Sequence, residues 1–187
     1  MASVTENEIN KLALIGYRGT GKSTVARFVA SQLGWAWIDA DVELERRAGR
    51  TIQAIFATEG EAAFRDQESQ VLRDLLSVSH QVVALGGGVI LRETNRAQLA
   101  HSQAAIVWLQ ARPETVYQRL LGDPTTADRR PQLTSRGGVE EITQLLAQRE
   151  PLYRQCADVE FDTETLTPEQ VAEQIVAWWR QRQPTRN

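Results

Sequence analysis

The stretch Gly16-Tyr17-Arg18-Gly19-Thr20-Gly21-Lys22-Ser23-Thr24 decides the fold. Gly16, followed after four residues by Gly21-Lys22-Ser23, has the spacing of a phosphate-binding P-loop. Ahead of it, Lys11 to Ile15 (KLALI) is a short apolar run suited to a buried strand. Behind it, Val25, Phe28, Val29 and Leu33 recur at helical spacing. The glycines therefore mark a sharp strand-to-helix turn, which needs backbone angles that side chains forbid. Main-chain N–H groups then converge at a helix N-terminus whose dipole favours an anion. Gly19, Thr20, Gly21, Lys22, Ser23 and Thr24 form the expected phosphate cradle. In it Lys22 would reach the β- and γ-phosphates of a nucleotide, and the Ser23 hydroxyl would bind Mg²⁺. The chain has two lysines, Lys11 and Lys22, against nineteen arginines, so Lys22 is not there merely for solubility.

Composition narrows the function classes. The 187 residues fit one domain with a substantial core, and 42% hydrophobic with 24% charged residues is ordinary for a soluble globular protein. A net charge of −3 argues against general nucleic-acid or membrane-surface binding. No apolar run approaches the roughly 18 residues of a membrane span. The opening MASVTENEIN lacks a charged-then-apolar leader, and the single cysteine, Cys156, suits a reducing compartment. These features lead to the expectation of a cytoplasmic protein. His80 and His101 stand far apart, so no zinc-ligand cluster is foreseen.

Strand-like runs alternate with amphipathic stretches from end to end. Trp35 to Asp39, Val82 to Leu85, Ala104 to Leu109 and Val159 to Phe161 follow the first strand. Helical material is expected over Val42 to Leu76, around Asn95 to Ala100, from Pro113 to Leu121, from Val139 to Cys156, and from Pro168 to Trp179. Such alternation predicts an α/β fold, a parallel sheet covered by helices on both faces. Ligands of such sheets bind beyond the carboxyl ends of the strands. Residues 122–138, rich in Gly, Pro, Thr, Asp and Arg, read as a long mobile loop, and about 1–8 and 183–187 as loose tails.

Three sets of residues beside the phosphate site carry further chemistry. Asp39 and Asp41 lie at a strand's carboxyl end. One carboxylate there would hold Mg²⁺ near Ser23 and the other would accept a proton, though either residue singly would equally serve as a helix cap. Gly86-Gly87-Gly88 closes a strand, either as a surface for a small polar ligand or simply as a tight turn. Arg65, Arg119, Arg130 and Arg149 stand out by context, and the arginine fork suits a carboxylate or phosphate. Taken one at a time, each reads more readily as a surface group.

Together these segments resemble the shikimate kinase family over roughly Lys11 to Val176. The P-loop, the run DADVELERRAGRTIQAIFATEGEAAFRDQE, the triple glycine, Arg130-Pro131 and REPLY (Arg149 to Tyr153) occur in the family's order and spacing. The resemblance implies a single three-layer P-loop kinase domain with a five-stranded parallel sheet and a mobile lid at about 122–138. It implies transfer of the ATP γ-phosphoryl to the 3-hydroxyl of shikimate, in the route to chorismate and the aromatic amino acids, with Mg²⁺. By motif, Lys22, Asp41 and Arg130 would be catalytic, and Ser23 with Asp39 would ligate the metal. Arg65 and Arg149 would grip the shikimate carboxylate, Gly86 to Gly88 would line its ring, and Asp41 would bind its hydroxyls. Arg119 would stack on adenine, the loop at Thr167-Pro168 forming the far wall. No macromolecular partner is implied, and a monomer is expected. The sequence departs from the family in a longer lid, in RPQLT after the lid arginine, and in Arg129 standing next to Arg130.

Overall fold

A computed structural model describes residues 10–122 and 138–183. Five strands, β1 (Lys11–Ile15), β2 (Ala36–Asp39), β3 (Gln81–Ala84), β4 (Ala105–Gln110) and β5 (Val159–Asp162), form one sheet in the order β2-β3-β1-β4-β5. Every neighbouring pair is parallel. The helices are α1 (Lys22–Leu33), α2 (Ala40–Ala48), α3 (Ile52–Leu76), α4 (Glu93–His101), α5 (Pro113–Leu121), α6 (Gly138–Cys156) and α7 (Pro168–Gln181), with a short 3₁₀ turn at Val89–Leu91.

The period-two alternation of the central strands builds both layers. Leu12 and Leu14, with Val82, Ala84, Val107 and Leu109, face α1 and α7. Ala13 and Ile15, with Val83, Ile106 and Trp108, face α2, α3 and α4. Leu12, Ala13, Leu14 and Ile15 are fully buried, as expected of a parallel strand covered on both sides. β2 and β5 are the sheet edges and are only partly covered. A third cluster, Tyr17, Val116, Ile142 and Leu146, ties the P-loop to α5 and α6. From β1 the chain moves outward to β2 and returns through β3, then passes to β4 on the other side. The P-loop therefore sits where the strand order reverses, at the carboxyl edge of the sheet.

The helical run foreseen over Val42 to Leu76 is interrupted twice. Gly49 ends α2 in a left-handed conformation and Thr51 caps α3, its hydroxyl accepting from the Ala54 amide. Within α3, Gly60 adopts φ 79, ψ 178, a region essentially restricted to glycine, and breaks the helix just before the turn that carries Arg65. The expected lid at 122–138, including Arg129, Arg130 and Pro131, lies outside the described residues apart from its two end glycines. The expected tails lie outside them too, save Gln183. No helix among the described residues is long and apolar enough to cross a membrane.

Candidate active site

The P-loop is held open by its glycines and braced by its lysine. Gly16, Gly19 and Gly21 have φ of 139°, 79° and 86°, and a Cβ on Gly16 would collide with the Leu109 carbonyl at the end of β4. Lys22 Nζ donates to the Gly16 and Tyr17 carbonyls, both at 2.8 Å, spanning the loop from the first turn of α1. Thr20 is buried, and its hydroxyl donates to the Tyr17 carbonyl at 2.8 Å. No side chain caps the N-terminus of α1. A helix start whose N–H groups converge with a lysine is an anion seat.

Asp39 caps a helix with one carboxylate oxygen and meets Ser23 with the other. Its Oδ1 accepts from the Asp41 and Val42 amides at 2.9 and 3.3 Å, making it the N-cap of α2, which starts at Ala40 rather than near Val42. Its Oδ2 accepts a hydrogen bond from the Ser23 hydroxyl. A hydroxyl and a carboxylate in contact beside the phosphate seat are hard oxygen donors. They fit Mg²⁺, which takes one or two protein oxygens and completes its shell with phosphate and water.

The triple glycine separates the P-loop from a set of charged side chains. Gly87 lies against the P-loop backbone, and its carbonyl accepts from the Tyr153 hydroxyl at 2.5 Å and from Arg149 Nη1 at 3.4 Å. A Cβ on Gly88 would stand within 2.9 Å of the Arg65 guanidinium, which would have to shift to admit it. Arg65 Nη1 pairs with Glu68 at 2.7 Å and Nη2 with Glu61 at 3.2 Å. Burial disfavours the charge on Arg65, but the charge and hydrogen bond of Glu68, with Glu61, outweigh it and raise its pKa. Arg149 is 9% exposed and packs over the Tyr17 ring at 5.4 Å. Asp41 is half-buried and shares a crevice with Glu68, Gly86 and Val89. Asp41, Arg65 and Arg149 are thus gathered around Gly86 to Gly88, which lie against the P-loop through Gly87.

Arg119 lies on the other side of the loop. Its Nη1 donates to the Gly19 carbonyl at 3.4 Å and to the Thr163 hydroxyl at 2.9 Å, while Nη2 donates to the Thr163 carbonyl at 2.6 Å. This joins the P-loop to the segment between β5 and α7, five residues before Pro168 at the first turn of α7. Next to Thr163, Glu164 Oε1 accepts from the Arg112 amide at 2.6 Å. Its Oε2 accepts from the Thr115 hydroxyl at 2.8 Å and the Arg112 guanidinium at 3.0 Å. Sequence reasoning did not single out Glu164 and gave Tyr153 no role of its own, noting it only as the residue one helical turn after Arg149, a spacing that puts both on one face of α6.

Comparison with known proteins points to one family. A family profile described as shikimate kinase matches residues 18–180. A shikimate kinase of Rhodopirellula baltica is 44% identical over 165 residues, 88% of each chain. One from Thermodesulfovibrio yellowstonii is 40% identical, over 90% of this chain and 94% of its own. Among solved structures, a shikimate kinase from Acinetobacter baumannii in complex with shikimate superposes with a TM-score of 0.85 at 35% identity, covering 92% of this chain and 94% of that one. The chain belongs to the shikimate kinase family.

Proposed function

We infer that this chain is an ATP-dependent kinase that transfers the γ-phosphoryl group to the 3-hydroxyl of shikimate. The products are shikimate 3-phosphate and ADP, in the route to chorismate and the aromatic amino acids. The observation that carries the reading is the meeting, at Gly87, of a P-loop with a buried arginine, Arg149, and with Arg65 one residue further on. A phosphate seat placed directly against a carboxylate-sized cationic seat suits a small hydroxylated acid as acceptor. A nucleotide acceptor would bring its own phosphate against Asp41.

In the reaction, the bond from the γ-phosphorus to the ADP oxygen breaks and a bond to the shikimate oxygen forms. Positioning and charge neutralisation supply most of the catalysis in such transfers. Lys22 and the amides of Gly19, Thr20, Gly21, Ser23 and Thr24 hold the phosphates along the path. Arg65 and Arg149 fix the acceptor through its carboxylate, and Gly86 to Gly88 let its ring approach the main chain. Asp41 binds the acceptor hydroxyls and takes up the proton released as the new bond forms. Ser23 and Asp39 would hold Mg²⁺, which when bound neutralises charge on the phosphate oxygens. Arg119, Thr163 and Pro168 form the walls of the base pocket. Arg130 is assigned the closing role of a cis arginine finger on its motif alone. We propose a monomer acting on ATP and shikimate in the cytoplasm, without nucleic-acid or membrane partners.

A coupled ADP-release assay with shikimate, gluconate and nucleoside monophosphates tests the reading. Saturable, Mg²⁺-dependent turnover with shikimate is expected, and its absence would overturn the assignment.

A further inference from the structure

Arg18 lies inside the P-loop, yet the phosphate cradle does not account for it. Its backbone nitrogen is 3.2 Å from where a Cβ on Gly87 would stand, so the residue sits at the seam between donor and acceptor. Its guanidinium packs on the Tyr17 ring at 5.8 Å, the same ring that Arg149 covers at 5.4 Å. Tyr17 is 1% exposed, which fixes the platform both arginines share. Arg18 Nε is buried without a hydrogen-bond partner. Among the described residues neither Arg18 nor Arg149 pairs with a carboxylate, whereas Arg46, Arg47, Arg65, Arg92, Arg112 and Arg154 all do.

Two guanidinium groups on one buried ring repel each other, and an anion reached by both would relieve that repulsion. The ring's quadrupole compensates only in part. Arg65 brings less free charge to the acceptor because Glu61 and Glu68 already neutralise it. No carboxylate of the described residues pairs with either arginine, so the carboxylate of a bound acid is an anion this arrangement suits. We propose that Arg18 is a specificity-determining residue which, together with Arg149, holds the carboxylate of the hydroxy-acid acceptor. The loop that binds the donor's phosphates would then also read the acceptor's charge. This rests on the proposed function, since it names a contact of that same acceptor.

Titration calorimetry on the full chain tests it, with shikimate and its methyl ester as probes and steady-state kinetics alongside. In Arg18→Met, the Kd and KM for shikimate should rise about tenfold, the scale of a lost charge-assisted hydrogen bond. The ATP KM and kcat should stay within about twofold. Arg18→Lys should recover part of the loss, because it keeps the charge without the planar fork, and it supplies the measurement should Arg18→Met not fold. Wild type and both variants should bind the methyl ester alike. An unchanged shikimate Kd, an equal loss on the ester, or a loss confined to kcat or ATP would overturn the role of Arg18. A wild-type chain that neither binds nor phosphorylates shikimate would instead overturn the proposed function.

Discussion

The proposed donor and acceptor sides of this cleft are made from different materials. On the donor side the seat is main chain: three glycines with positive φ, an uncapped helix N-terminus and one lysine, all within seven residues. On the acceptor side it is side chains, delivered from α2, α3 and α6 onto a glycine surface after β3. A phosphate is the same in every nucleotide, so a fixed backbone nest serves it. A hydroxylated acid has to be told apart from other metabolites, which calls for separately placed charges.

The contrast can be broken most severely at Lys22. Lys22→Ala removes the one donor-side side chain that spans the loop, and kcat should fall by about 10³-fold, at the upper end for losing a preorganised charge-stabilising donor. Shikimate affinity measured by calorimetry should be retained, because the bonds of Lys22 to the Gly16 and Tyr17 carbonyls brace the main chain of the phosphate loop. Arg65→Ala should reverse the pattern. The shikimate KM should rise by about 10²-fold, with the ATP KM little changed. Thermal stability should fall as well, since Glu68 is 5% exposed and loses its 2.7 Å contact with Arg65. A loss of ATP affinity equal to that of shikimate would mean that the two sides are not separable.

The same contrast explains what was legible in the sequence. The donor side is contiguous, so its spacing alone gave the loop, the strand before it and the helix after it. Pro113 and Pro168 likewise announced α5 and α7 at the residues where those helices begin. The acceptor side is assembled by tertiary contacts that no local pattern encodes. Arg65 and Arg149, two among nineteen arginines, stood out by context but read singly as surface groups, and only the family resemblance gave them a role. The left-handed end of α2 at Gly49 and the break at Gly60 were hidden because helical residues continue on both sides of each glycine. Glu164 was invisible for a similar reason: its partners Arg112 and Thr115 lie about fifty positions earlier, brought near because β4 and β5 are neighbours.

Glu164 also yields the smallest and most diagnostic effect, because it is a side chain serving the donor side. It touches no phosphate. It fastens the segment carrying Thr163, which Arg119 grips, to the first turn of α5. Glu164→Ala should raise the ATP KM about three- to tenfold, the scale of one or two net hydrogen bonds, and leave shikimate binding alone. Burial by itself would push its carboxyl pKa up. The Arg112 amide, the Thr115 hydroxyl and the Arg112 guanidinium outweigh that and hold it below the usual carboxylate range. The stabilisation from a depressed carboxyl is fully present above its unfolded pKa, about 4.3, and is lost as pH falls through the lower folded value. The donor wall should therefore stay intact from neutral pH down to about pH 4 and loosen only below that. Glu164→Gln keeps one of the two accepting oxygens and no charge, so it should lose this acid-side component while keeping part of the ATP affinity. An ATP KM unchanged in Glu164→Ala would show that backbone alone sustains the donor side, and would make the division between the two halves sharper.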